Sequence, residues 1–184
     1  AGPHVSGAAA VFVQYWRATH SGTTPSPALV KAALINSATD MADGFTTEVV
    51  PNNDEGWGRV NLPALMDAAR NYDFTDQTTS LTNGGMLEKR ILVGSSVEPL
   101  KITLTYTDVP GLPAAAIALV NDLDLEVIAP TGEIFRGNRF EDGESVPNAP
   151  MSDTINNVEA VHLAAPVPGE YLIRIRATRV VEDA

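Results

Sequence analysis

The sequence predicts an α+β protein, with helices in the amino-terminal part and an antiparallel β-sandwich after them. Three observations carry this prediction. Apolar residues recur at helical spacing to about residue 70, then alternate with a period of two from about Thr78 onward. Turn signals such as Pro130-Thr131-Gly132 and Pro168-Gly169 separate the alternating runs. Short strands at such spacing, over about 100 residues, argue for a two-sheet sandwich.

The first helix is expected from Val5 to Trp16, where the sequence VSGAAAVFVQYW is small and apolar nearly all the way round. A helix at the surface of a small domain carries one apolar stripe. One that is apolar on every side belongs inside a larger body, so a packing partner is expected beyond this helix. A second helix is expected from Ser26 or Pro27 to about Thr39. Ser26 suits the N-cap, Pro27 the first helical position, and Leu29, Val30, Ala33, Leu34 and Ala38 recur at helical spacing. Residues 42–53 lack any helical period and read as a loop, with a short strand at Glu48–Val50. A third helix is expected over Pro63–Arg70, with Asn61 near its cap.

Tyr72-Asp73-Phe74-Thr75-Asp76 breaks the helical pattern, which places a boundary at residues 72–80 and two domains at 1–74 and 75–184. Four strands follow. Leu100, Ile102, Leu104 and Tyr106 alternate with Lys101, Thr103, Thr105 and Thr107. Leu123, Leu125 and Val127 alternate with Asp122, Asp124 and Glu126. Val158, Ala160 and His162 face opposite to Glu159, Val161 and Leu163, and Tyr171–Arg176 closes the set.

Composition excludes several functions. The balance of 12 basic and 23 acidic residues gives a net charge of -11. With no cluster of Lys and Arg, neither nucleic acid nor an anionic membrane is an expected partner. The absence of cysteine rules out disulfides, thiolate metal sites and cysteine nucleophiles. No apolar run reaches the length of a membrane span, and Ala1-Gly2-Pro3-His4 does not open like a signal peptide.

Ala1-Gly2-Pro3-His4-Val5-Ser6-Gly7 resembles the end of the serine motif of subtilisin-like serine proteases, in which Gly-Thr-Ser-Met-Ala precedes a small residue and Pro-His-Val. On that pattern the nucleophile lies two places before Ala1. It would stand at the start of a buried helix, whose free N–H groups and dipole favour negative charge. Ser26–Leu34 and Ile35-Asn36-Ser37-Ala38-Thr39 resemble the family's following helix and its end. Gly56-Trp57-Gly58-Arg59-Val60-Asn61 resembles the turn before the last helix of the catalytic domain. In the second half, Leu119–Leu125, Gly137-Asn138, Asn156-Asn157-Val158-Glu159 and Pro168-Gly169-Glu170-Tyr171 resemble the jelly-roll domain appended to some bacterial subtilases.

The resemblance implies a carboxy-terminal remnant of an α/β catalytic domain, followed by a β-sandwich that braces it, in a secreted enzyme. Its partners would be the upstream part of the same protease and, for the parent, protein or peptide substrates. The triad and the oxyanion-hole asparagine of the family all precede Ala1, so no catalytic residue is expected here. His4 belongs to the Pro-His-Val segment, and none of His4, His20 and His162 accompanies a Gly-x-Ser-x-Gly elbow.

One metal site is expected. Asp122 and Asp124 project from one face of a strand, where two carboxylates repel unless a cation lies between them. Calcium takes six to eight oxygens, and Asn138, Asp142, Asp153, Asn156 and Asn157 are candidates to complete the shell. The expected ligands are Asp122, Asp124, Asn138, Asp153 and Asn157, with calcium also implied by the resemblance to subtilase β-domains. A solvated acidic edge with Asx-turns is the plainer alternative. Asn52-Asn53-Asp54-Glu55 reads as a solvated loop, Trp57 as packing for its turn, and Phe12, Tyr15 and Trp16 as core or interface. The functional alternative is a non-catalytic calcium-binding β-sandwich for adhesion or substrate capture; it leaves the amino-terminal motifs unexplained.

Overall fold

The computed structural model of the protein describes residues 2–41, 49–77 and 80–181. It mixes helix with antiparallel sheet, strands predominating, and divides after Gln77 into two compact units. Among the described residues no helix is long and apolar enough to cross a membrane.

The first unit holds α1 (Gly2–Thr19), α2 (Pro27–Asn36) and α3 (Leu62–Leu65). Helix α1 extends past the expected Val5–Trp16 at both ends; Pro3 fits its first turn, where no intrahelical N–H is needed. Its buried residues form one stripe, Ala8, Phe12 and Trp16, four residues apart, while Val5 and Val11 are exposed. Within the described unit, then, this apolar helix is covered on one side only. Ser26 caps α2 as expected, accepting from the Leu29 N–H at 3.0 Å, and Pro27 follows it. The Asp76 carboxylate accepts from the Ser26 N–H at 2.8 Å, fastening residue 76 to the start of α2.

Helix α2 stops at Asn36 rather than near Thr39, because Thr39 exchanges backbone hydrogen bonds with Arg59 at 3.0 and 2.8 Å. This bridge explains one glycine of Gly56-Trp57-Gly58. At Gly58 the backbone has φ of +97° and a Cβ would lie 2.5 Å from the Thr39 carbonyl oxygen, so only glycine fits. The third helix is a single turn instead of the expected Pro63–Arg70. Asn61 caps it through the Ala64 N–H at 3.0 Å, but the Asp67 carboxylate accepts from the Ala69 N–H at 2.9 Å and diverts the backbone into a turn. Of the strand expected at Glu48–Val50, Glu48 lies outside the described residues, and Val49 and Val50 are not in a strand. Phe12, Trp16, Leu29, Ala33, Leu34 and Leu65 form the core, with Phe74 packed edge-on to Trp16 at 5.6 Å.

The second unit contains seven strands among its described residues: β1 (Met86–Val93), β2 (Leu100–Thr105), β3 (Asp122–Ile128), β4 (Ile134–Glu141), β5 (Glu144–Pro147), β6 (Val158–Leu163) and β7 (Gly169–Arg179). One sheet has the order β1-β7-β3-β4-β5 and the other pairs β2 with β6; all pairings are antiparallel. Leu125, Val127, Phe135 and Tyr171 of the larger sheet share one core cluster with Val161 and Leu163 of the smaller. Strands β1, β4 and β5 were not expected from alternation. Charged Glu88, Lys89 and Arg90 interrupt the first, and Gly137-Asn138 interrupts the second.

Candidate functional site

The start of β3 is where polar side chains enter the interior. Strand β4 pairs with β3 only from Glu126 to Ile128, leaving the earlier part of β3 without a β4 partner on that edge. Glu159 of β6 fills the gap, its Oε2 accepting from the Leu125 N–H at 2.7 Å. It is fully buried. Gly137 makes room for it: a Cβ there would stand 2.1 Å from Glu159 Oε2 and 2.6 Å from its Cβ.

The next residue, Asn138, adopts φ of +59° and bridges β4 to β6. Its Oδ1 accepts from the Ala160 N–H at 3.0 Å, and its Nδ2 donates to the Val158 carbonyl at 2.7 Å and to Asp153 Oδ2 at 2.6 Å. Asp153 also accepts from the Ile155 N–H at 2.8 Å, the Asn156 N–H at 3.3 Å and Asn156 Nδ2 at 2.7 Å. Burial pushes the Asp153 carboxyl up, but these donors outweigh it and leave it below its ordinary range.

Asp122 and Asp124 are both buried, at 3% and 6% exposure. The hydroxyl of Thr178 donates to Asp124 Oδ2. Burial, reinforced by the charge of Asp124 and opposed by Arg179, raises the Asp122 carboxyl above its usual value. Glu159 is pushed up to about 9, first by burial and then by the fields of Asp124, Asp153 and Asp122, against the Leu125 hydrogen bond. Asp122 Oδ1, Asp124 Oδ1 and Glu159 Oε1 are buried without a hydrogen-bond partner. Three orphaned carboxylate oxygens in one negative field have two chemical remedies: take up protons or share a cation.

The structure thus brings Asp122, Asp124 and Asp153 of the expected ligands into one electrostatic cluster, with Asn138 bonded to Asp153. Asn157 lies beside them as a brace, its Nδ2 donating to the Tyr106 carbonyl at 3.0 Å. Asp142 sits instead in the β4–β5 turn with φ of +49°. Sequence reasoning missed Glu159. The signal was present, since Glu159 shares a face with Val161 and Leu163, which are core residues. Among the described residues no three His, Asp or Glu side chains are arranged as a ready-made metal site, so a cation would need backbone and amide oxygens as well. In the Asn52–Glu55 loop Asn52 Oδ1 accepts from the Asp54 and Glu55 N–H groups at 2.9 and 2.7 Å, and the Glu55 carboxylate accepts from the Met41 N–H at 3.0 Å.

No family model matches the protein. It is similar to the serine protease/ABC transporter B family protein tagA of Dictyostelium discoideum, with 32% identity over 178 residues. That alignment covers 87% of this sequence and 9% of the relative, so the present protein spans a small part of that protein's length. The similarity relates it, weakly, to a protein named as a serine protease.

Proposed function

We propose that the protein is the carboxy-terminal part of a secreted subtilisin-like serine endopeptidase, comprising the closing helices of the catalytic domain and a jelly-roll sandwich that stabilises it. The observation that carries this reading is Pro3-His4-Val5 placed in the first turn of α1, the helix that follows the nucleophile in the resembled motif, within a sequence similar to a protease-named protein. In such an enzyme the serine alkoxide attacks a peptide carbonyl with histidine as general base, and water hydrolyses the acyl-enzyme. Residues before Ala1 would supply those groups. The exposed Val5 and Val11 on α1 support an upstream partner, as does an open apolar cavity of about 230 Å³ lined by Val5, Leu34, Ile35, Trp57 and Val60.

Calcium is proposed as the structural cofactor of the sheet unit. Asp122, Asp124 and Glu159 would offer their orphaned oxygens, with Asp153 and Asn138 alongside and Asn157 bracing the loop. The ion would neutralise the cluster and tie β3 to β6, stabilising the fold by mass action. The same cluster also supports the second reading, a calcium-binding adhesion or capture module, because it lies wholly in the sheet unit.

Fluorophosphonate labelling of the protein from its natural source separates the two. A labelled band far above 19.5 kDa that contains these peptides is the expected result. An unlabelled band at that mass, with no larger form, leaves the binding module. Calcium is tested apart by calorimetric titration of the chelator-stripped protein: saturable heat with a raised melting temperature is expected, and no heat at millimolar calcium rules it out.

A further inference from the structure

Asn83-Gly84 is the one Asn-Gly pair in the sequence, and it stands at the entrance to β1. Glycine has no Cβ to screen its own N–H, so this pair leaves the amide nitrogen open to the preceding side chain. Asn83 is exposed. Its Oδ1 accepts from the Val180 N–H at 3.0 Å, just after β7 ends. That bond withdraws electron density from the Asn83 amide carbonyl, which makes its Cγ a better electrophile. The nucleophile, by contrast, is restrained: the Gly84 N–H donates to the Ala177 carbonyl at 2.8 Å, and Ala177 N–H donates back to Gly85 at 2.9 Å. A third bond, from Gly85 N–H to the Thr82 carbonyl at 2.7 Å, closes the turn.

We propose that Asn83 is a self-modification site, gated by the end of the β1–β7 ladder. When that end opens, the deprotonated Gly84 nitrogen attacks Asn83 Cγ. A new N–C bond forms, the Cγ–Nδ2 bond of Asn83 breaks, and ammonia leaves. Water then opens the cyclic imide to aspartate or isoaspartate, with no oxidant or other reagent. Aspartate keeps an acceptor for Val180. Isoaspartate inserts a methylene into the backbone immediately before Gly84. The Gly84–Ala177 and Ala177–Gly85 bonds then no longer reach together, and the Met86–Arg176 register behind them loses its stop. Ageing therefore unfastens the start of β1 and the end of β7 at once, in the unit that carries the buried carboxylates.

The test is incubation of the full-length protein at pH 8, native and in urea, beside a synthetic peptide of residues 80–89. Peptide mapping reads a gain of about 1 Da at Asn83, and hydrogen exchange reads the amides of Gly84, Ala177 and Val180. Reaction in the native protein should be at least about tenfold slower than in the peptide, because it proceeds only from opened molecules. Urea should abolish that difference. The isoaspartate form should exchange all three amides faster, while freshly prepared Asn83→Asp retains native protection. Equal rates in the native protein and the peptide would overturn the gating. Unchanged exchange in the isoaspartate form would overturn the unfastening.

Discussion

The two units bury their side chains by different means. In the helical unit the core is a single layer of aromatic and aliphatic groups, Phe12, Trp16, Leu29, Leu34, Leu65 and Phe74, against one stripe of α1. On the rest of α1, Val5 and Val11 remain exposed. The sheet unit closes its core between strands of both sheets, yet admits Asp122, Asp124 and Glu159 to the interior. Both units expose apolar side chains, Leu92, Val97 and Leu112 of the sheet unit among them; what separates them is a one-sided core in the first and uncompensated buried carboxylates in the second. The one-sided burial of α1 indicates a missing packing partner for the first, and the buried carboxylates call for protons or a cation in the second.

Separating the units gives the largest expected effect. Residues 78–184 expressed alone should unfold in one cooperative transition by far-ultraviolet circular dichroism. Residues 1–77 alone should melt without one, since a unit this small with a one-sided core has little stability to spare. Both tryptophans, Trp16 and Trp57, lie in the helical unit, so their fluorescence reports that unit specifically. A sharp fluorescence transition in residues 1–77 would remove the contrast.

Gly137→Ala tests how tightly the sheet unit closes around its buried carboxyl. The new Cβ meets both the carboxylate and the Cβ of Glu159, so rotation of one flexible end cannot relieve the clash. A loss of about 3 kcal/mol is expected in urea denaturation. A shift below about 0.5 kcal/mol would mean that β4 and β6 can part at no cost, which a packed interior does not allow.

Glu159→Gln addresses the uncompensated charge. The carboxyl rises from 4.5 unfolded to about 9 folded, so the folded protein holds a proton that the unfolded one releases. Its contribution is complete below pH 4.5 and is lost as pH rises through 9. The calcium-free wild type should therefore lose about 1–3 kcal/mol between pH 5 and 9, and the permanently neutral glutamine should flatten that decline. Calcium at pH 8 should stabilise the wild type and leave the variant nearly unchanged. A variant that keeps the full pH slope would show that the proton resides elsewhere.

How much of this was legible in sequence depended on whether the signal was local. The caps at Ser26 and Asn61 were readable because capping is decided within a few residues. The alternation of β2, β3 and β6 was readable because their apolar faces meet one core. Strands β1 and β4 were not, since their charges pair across the sheet: Glu88 of β1 faces Arg174 of β7, and Arg136 of β4 faces Glu126 of β3. Helix α3 was overestimated because the Asp67 side group competes for a backbone donor. At the carboxylate cluster, Asp122 and Asp124 were named from their shared strand face and Asp153 as a nearby oxygen donor. Glu159 was missed although it shares a strand face with Val161 and Leu163, because the space that admits it is made by Gly137 on another strand.

His162 gives a smaller effect of opposite sign. Burial, then the charge of Lys101 paired across from it, lowers its value from 6.5 to about 4, against a hydrogen bond at Gly143. Folding therefore favours the neutral ring. This contribution is complete above pH 6.5 and is lost as pH falls toward 4. In the Glu159→Gln background about 1–2 kcal/mol should disappear over that interval, and adding His162→Gln should flatten that decline, read from denaturation midpoints. With Glu159, whose opposing contribution falls above pH 4.5, this gives the metal-free sheet unit a stability maximum at mildly acidic pH. A midpoint that rises on acidification from pH 6.5 to 4 in Glu159→Gln, where the opposing carboxyl titration is absent, would contradict it.

The smallest effects are expected at the surface, where the same ion-pair chemistry is worth least. Arg90 and Glu170 approach to 2.6 Å, but their side chains are 62% and 57% exposed, so water screens the pair and the two side chains lose rotamer freedom to hold it. Arg90→Ala should change stability by less than about 0.5 kcal/mol despite the short distance. Arg174 spans Glu88 at 2.9 Å and Glu126 at 3.3 Å, and the Glu126 carboxylate arm is only 8% exposed. Removing it leaves Glu126 with Arg136 at 3.6 Å as its remaining ion pair, so Arg174→Ala should cost about 1 kcal/mol or more. Urea denaturation at low and high salt checks the ordering: salt should erase the Arg90 difference first. If Arg90→Ala proved the costlier change, distance rather than burial would govern charge in this unit. The interior carboxylates would then need no compensating proton or cation, and the contrast between the two units would fail at its polar end.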